Sequence, residues 1–211
     1  MALKPTLVGA CIGAAVTGGV AWLWSWVFRR TPSTDGEVED RVLFFPAVGQ
    51  APCQSVLRAT QCRRLNCTHG HSPDHPLAVL LDALRETQHT LDIAIYTFSY
   101  MFIKEEVLAA QRRGAHVRVL VDLEQVSAGG CAVAELFKAG ILVRQGPEDF
   151  YLHHKFAIID GKTLVNGSLN WSRAGVMGNH ENVLISSRPH LVNAFQEEFD
   201  RMWEMFDPSK R

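Results

Sequence analysis

Two hydrophobic periods alternate along most of the chain. Leu77, Leu80, Leu81 and Leu84 recur every three or four positions, the stripe of an amphipathic helix that runs to about residue 88. The segment 91–98 (LDIAIYTF) is almost continuously apolar, as a strand buried on both faces requires. A helix over 103–112, a strand over 116–122, a helix over 131–139 and a strand over 141–144 follow. This β-α-β-α-β succession predicts an α/β fold, a mixed and largely parallel sheet flanked by helices on both faces. Strands over 155–159 and 163–166 meet at Gly161 as a hairpin, a connection that only antiparallel neighbours make. A strand over 181–187 and a long helix over 189–206 complete the pattern, and Leu191, Phe195, Phe199, Met202 and Phe206 give that helix one apolar stripe for the core,. The first strand, 42–45, ends at Pro46.

The amino-terminal stretch has no such period. Residues 5–28 (PTLVGACIGAAVTGGVAWLWSWVF) carry no charge, and about 20 apolar residues suffice for a helix to cross a bilayer. Trp22, Trp24 and Trp26 stand where interfacial aromatics belong, and Arg29 and Arg30 follow at once,. A cleaved signal peptide has an apolar region of roughly 7–15 residues and a small-residue cleavage site, so 1–30 reads as a retained membrane anchor. The arginine pair places the remainder on the cytosolic side. Polar, turn-rich 31–41 is a linker, which leaves 42–208 as the folded domain. A chain of 211 residues holds one such domain with a tail, and not two large ones,. Its net charge of −1 offers a polyanion no general attraction, so any nucleic-acid surface has to be local.

Reactive side chains concentrate in 151–172 (YLHHKFAIIDGKTLVNGSLNWS). His153, Lys155 and Asp160 form H-x-K-x4-D, and Gly167-Ser168-x-Asn170 follows. Two residues apart at the start of a strand, His153 and Lys155 point to the same face. An imidazole there can attack phosphorus, and the neighbouring ammonium can neutralise the non-bridging oxygens. The hairpin returns Ser168 and Asn170 as donors to the same oxygens. Glu181 is expected to hold the Nδ1 proton of a histidine so that Nε2 is free to attack, and Asp160 to give hydrogen-bonding support. Double displacement at a phosphodiester also needs an acid for the leaving oxygen. His154 faces the opposite side of the strand, so the second histidine is expected from a second copy, in a homodimer with one shared site.

Cys53, Cys62 and Cys67 precede His69, His71 and His75 within a short span. In a reducing compartment such clustering argues for a metal over disulfides. Three thiolates and one imidazole make a closed, structural zinc site, with Cys53, Cys62, Cys67 and His71 as ligands and His69 as the alternative fourth. The spacing lacks a C-x2-C pair and fits free thiols equally well. Arg58, Arg63 and Arg64 lie among these cysteines and could meet phosphates beside the groove.

H-x-K-x4-D with G-S-x-N, and the later His180-Glu181-Asn182-Val183, resemble the signature of the phospholipase D superfamily. A single motif copy, the apolar amino terminus, the cysteine cluster and YLHHKFAIID are similar to its mitochondrial, Zucchini-type branch, and the likeness covers 42–208. The resemblance implies a phosphohistidine intermediate without catalytic metal, a homodimer, a Cys-Cys-Cys-His zinc site and a single-pass anchor in the mitochondrial outer membrane. It implies an endonuclease for single-stranded RNA in piRNA biogenesis, hence in meiosis and spermatogenesis, or alternatively a cardiolipin hydrolase producing phosphatidic acid. An intact catalytic set argues against a third reading, a silent membrane scaffold.

Overall fold

The computed structural model describes residues 39–47, 51–63, 66–122, 124, 132–147 and 149–210. The anchor of 1–30, most of the linker, Arg64 and Cys131 lie outside these residues. No helix among the described residues is long and apolar enough to cross a membrane.

Seven strands form one sheet in the order β1-β7-β6-β5-β2-β3-β4. They are β1 (Asp40–Phe45), β2 (Thr90–Ile95), β3 (His116–Val121), β4 (Leu142–Gln145), β5 (Lys155–Ile159), β6 (Thr163–Gly167) and β7 (Glu181–Ser186). The helices are α1 (Gln54–Leu57), α2 (Pro76–Arg85), α3 (Met101–Arg112), α4 (Val133–Lys138), α5 (Arg173–Met177) and α6 (Pro189–Met205). The expected α/β class and the flanking helices are present. The largely parallel sheet is not: β2–β3 and β3–β4 are parallel, whereas β1–β7, β7–β6, β6–β5 and β5–β2 are antiparallel. The β-α-β-α-β succession fixes only two pairings. The chain then crosses back and inserts β5 beside β2, reversed, and the β5-β6-β7 meander extends the sheet antiparallel from there.

Period-two alternation sends successive side chains of β5 to opposite faces. Ala157 and Ile159 join the core formed with α2, α3 and α4, where Leu77, Leu80, Leu81, Leu84, Ile103 and Leu136 are fully buried. Phe156 and Ile158 join the other core, covered by Val192, Phe199, Met202 and Trp203 of α6 and by Phe206. The predicted stripe of α6 packs as expected, with Leu191 and Phe195 at its margin. Polar ties fix α6 in place. Arg118 on β3 donates to Asp92 on β2 at 2.7 Å and to Asp200 on α6 at 2.8 Å, and its guanidinium lies 4.9 Å from the Phe199 ring centroid.

Candidate active site

The site is assembled at one end of the sheet, where β2 and β6 finish and β5 and β7 begin. Lys155 pairs with Ile95 and Phe156 with Asn166, so the start of β5 lies between the ends of its neighbours. Upstream, the Leu152 N–H donates to the buried carboxylate of Asp122 at 2.9 Å, and the Tyr96 N–H donates to the His154 carbonyl at 2.9 Å. These bonds anchor the backbone on either side of His153. Its imidazole meets the Tyr96 ring at 4.6 Å between centroids.

Lys155 reaches back over His153. Its Nζ lies 2.9 Å from His153 Nδ1 and donates to the His153 carbonyl at 2.8 Å, with the Tyr96 ring 5.4 Å away. Burial pushes the Lys155 ammonium below the usual lysine range, and the charge of Glu181 opposes that shift. Among the described residues the ammonium makes no ion pair. His154 lies on the other side of the strand, edge-on to Phe156 at 5.4 Å, and burial there depresses its basicity. It cannot reach the His153 face.

The segment after β6 is brought alongside by backbone bonds. Trp171 N–H donates to the Thr97 carbonyl at 3.0 Å, and the Ser99 and Tyr100 N–H groups donate to the Trp171 carbonyl. Gly167 has a steric reason: a Cβ there would sit 2.1 Å from the Asn182 carbonyl oxygen, so β6 and β7 approach this closely only without a side chain. Asn170 delivers its side chain to this end of the sheet, and its buried Oδ1 has no hydrogen-bond partner among the described residues. A buried, unpaired polar atom carries a desolvation cost and calls for an explanation.

Two expected roles change. Glu181 accepts from the Ser168 hydroxyl and, at 3.1 Å, from Asn179 Nδ2; it does not hold His153 in this chain. The Ser168 hydroxyl therefore has its proton committed to Glu181, and it also accepts from the Asn182 N–H at 3.1 Å. Asp160 is not in the site at all. It lies at the far end of β5, about 16 Å along the strand at 3.3 Å per residue. There it accepts from the backbone N–H groups of Gln88, His89 and Thr90 at 2.8–3.0 Å. Partial burial would raise its pKa, but the three N–H groups hold the carboxyl below the usual range.

Tyr96 is the residue that sequence reasoning missed. Its only signal was a position at the end of β2, which matters once β5 is known to lie beside β2.

The Cys53, Cys62, Cys67 and His71 ligand atoms all lie within 4.8 Å of one another. Cys53 Sγ is 3.7 Å from Cys62 Sγ and 3.6 Å from Cys67 Sγ. A tetrahedral zinc with Zn–S near 2.3 Å has edges of about 3.8 Å, so the donor set fits that ion. His69 stays outside the group, although its Nδ1 is 3.7 Å from Cys67 Sγ. Hydrogen bonds from the Ser55 hydroxyl and backbone pull the Cys53 thiol down to about 6, favouring the thiolate that a metal needs.

Beside the cluster opens a cavity of about 750 Å³ lined in part by Arg58, Arg63, Arg173, Tyr100 and Phe102. Arg58 is engaged: it pairs with Glu105 at 3.0 Å and lies over the Phe102 ring. Arg63 and Arg173 make no ion pair among the described residues. A second cavity of about 390 Å³ is lined in part by His153.

An exposed histidine and a half-buried lysine at the mouth of this sheet, with the G-S-x-N return beside them, define a phosphodiesterase of the phospholipase D type. Residues 80–203 match the family described as cardiolipin synthase, PLD-like domain. The chain is 40% identical over 178 residues to a mitochondrial cardiolipin hydrolase of Chlamydomonas reinhardtii, covering 83% of this chain and 79% of that one. It is 36% identical over 210 residues to the protein of that name from Homo sapiens, covering 95% and 80%. A solved phospholipase D family member, Nuc from Salmonella typhimurium, shares the fold at a TM-score of 0.62 and 20% identity, over 80% of this chain and 95% of that one. NucT from Helicobacter pylori shares it at 0.61 and 20%, over 80% and 97%. The chain belongs to the mitochondrial cardiolipin hydrolase, or Zucchini, family of the phospholipase D superfamily.

Proposed function

We propose that this phosphodiesterase works as a homodimer whose single active site takes His153 from each copy. The observation that carries this is the composition of the open end. Each chain brings one histidine and one lysine to the same face, the lysine without an ion pair among the described residues, while His154 is committed to the α6 side. The Oδ1 of Asn170, buried without a donor among the described residues, supports the same reading.

In the first step Nε2 of one His153 bonds to phosphorus, the bond from phosphorus to the leaving oxygen breaks, and His153 of the second copy protonates that oxygen. In the second step that histidine takes a proton from water, the new P–O bond forms and the N–P bond breaks. Lys155 and the Asn170 amide from both copies stabilise the charge on the non-bridging oxygens. Glu181 holds Ser168 in position, and through it the return from β6 to β7. The lysines supply the positive charge that a divalent ion provides in other phosphodiesterases, so no metal is assigned to the chemistry.

The substrate we favour is a lipid phosphodiester of the cardiolipin class, hydrolysed to phosphatidic acid; the relatives' names support it. Single-stranded RNA is the second reading, favoured by Arg63 and Arg173 in the larger cavity, and with it a role in piRNA biogenesis. The uncharged stretch 5–28 supports a single-pass anchor in the mitochondrial outer membrane with the catalytic domain in the cytosol. Cys53, Cys62, Cys67 and His71 hold a structural zinc, whose closed donor set leaves no position for water. Metal analysis should return one zinc per chain, lost in Cys67→Ser.

The test offers full-length protein cardiolipin vesicles and single-stranded RNA in parallel, with His153→Asn as control, and traps the intermediate by rapid quench. Phosphorus bound to His153 is the expected result. Hydrolysis by the His153→Asn variant would overturn the mechanism, and turnover of RNA alone would reverse the order of substrates.

A further inference from the structure

Two cavities of the described residues have opposite chemistry, one beside the cysteine cluster and one lined in part by His153. The larger one presents arginines. The smaller one, about 390 Å³, has a floor of Leu152, Met202 and Phe206, and Phe150 and Met205 stand at its margin. Phe150 and Met205 are 78% and 53% exposed. Solvent-exposed apolar side chains around a concave apolar floor mark a binding site for apolar matter. The two charged residues in its wall, Glu198 and Arg201, are closed on each other by paired hydrogen bonds of 2.7 Å. The one arginine in its wall is thus already paired with a carboxylate, a poorer site for a second phosphate than the free cations a nucleic-acid strand continuing past His153 would need. His153 itself is part of the lining.

We infer that this cavity is an acyl-chain subsite: it takes one hydrocarbon chain of a phospholipid whose phosphorus faces His153. The inference rests on the lipid reading of the active site and adds the means by which that site would recognise a membrane substrate. A chain drawn into the cavity orients the phosphodiester towards the nucleophile, and the flexible thioethers of Met202 and Met205 adapt to its shape.

The test uses the full-length protein and the double variant Phe150→Ser/Met205→Ser. Both side chains are exposed, so the fold tolerates their loss. Two substrates are compared, vesicles of long-chain cardiolipin in phosphatidylcholine and the soluble, chain-less bis(p-nitrophenyl) phosphate. The ratio of kcat/KM for the lipid over the chain-less substrate should fall roughly tenfold in the variant, the loss expected for removing apolar contacts to two or so methylene groups. Photolabelling with a phosphatidic acid carrying a diazirine at the chain end supplies a readout independent of turnover. It should mark peptides containing Phe150–Leu152 and Met202–Phe206.

An unchanged ratio with labelling elsewhere would overturn the inference. So would dissociation of the dimer in the variant, which would make the cavity an interface between copies, or a selective loss of RNA cleavage, which would make it a base-stacking platform. A wild-type protein that fails to hydrolyse the vesicles yet is labelled at these peptides would retain the subsite and remove lipid hydrolysis as the reading of the active site.

Discussion

At the Asp160 end of β5 one carboxylate accepts hydrogen bonds from three consecutive backbone N–H groups, and its residue adopts a left-handed φ of 52° to make the turn into Gly161. At the Lys155 end a lysine is crowded against a histidine, and a neighbouring asparagine oxygen is buried without a partner among the described residues. The two ends belong to one short motif, H-x-K-x4-D, yet they answer to different physics. The closed end satisfies every polar group it uses and so stabilises the fold. The open end leaves charge and hydrogen-bonding capacity unmet, and such arrangements persist where a substrate or a partner completes them.

Mutations should separate the ends. His153→Asn is expected to lower turnover by a factor on the order of 10⁴ or more, with Tm and dimer unchanged by calorimetry and sedimentation. Lys155→Ala should cost about 10²–10³ in kcat/KM and leave stability unaltered or slightly higher, because a desolvated ammonium has been removed. A large drop in Tm for either variant would blur the distinction.

Asp160→Ala should do the reverse. Losing the acceptor for three N–H groups should cost roughly 1–3 kcal/mol of stability, nearer the low end because solvent screens much of the carboxylate. Turnover per folded dimer should stay within about twofold of wild type, a change that carries no transition-state contribution. A hundredfold loss of kcat in a folded variant would return Asp160 to the active site.

The smallest effect is in the pH profile. Asp160 has a folded pKa held below the ordinary value, so its contribution is present above the unfolded pKa of about 3.9 and is lost as pH falls through the folded value. Wild-type stability should therefore decline more steeply below about pH 4 than that of Asp160→Asn, as read from denaturant midpoints across that range.

Much of this was legible in the sequence, for reasons that differ by residue. His153 and Lys155 could be paired because period two is built into a strand, and Cys53, Cys62, Cys67 and His71 could be grouped because soft ligands seldom cluster by chance. Strand direction was not legible. Hydrophobic alternation tells each strand which faces are buried, but not which neighbour it has, and β5 beside β2 is set by a crossover that leaves no local mark. The roles of Tyr96 and Asp160 follow from that missing adjacency. Tyr96 reaches His153, and Thr90 reaches Asp160, only because β2 and β5 run antiparallel in register.

The account depends most on the claim that the open end of one chain is half of an active site. Coexpression of wild-type and His153→Asn chains with different affinity tags yields the mixed dimer, which tandem purification isolates. Such a dimer has one histidine where two are required, so its turnover of a phosphodiester should fall to that of the His153→Asn homodimer. A mixed dimer that keeps half of the wild-type rate would show that each chain carries a complete site, and would contradict the account.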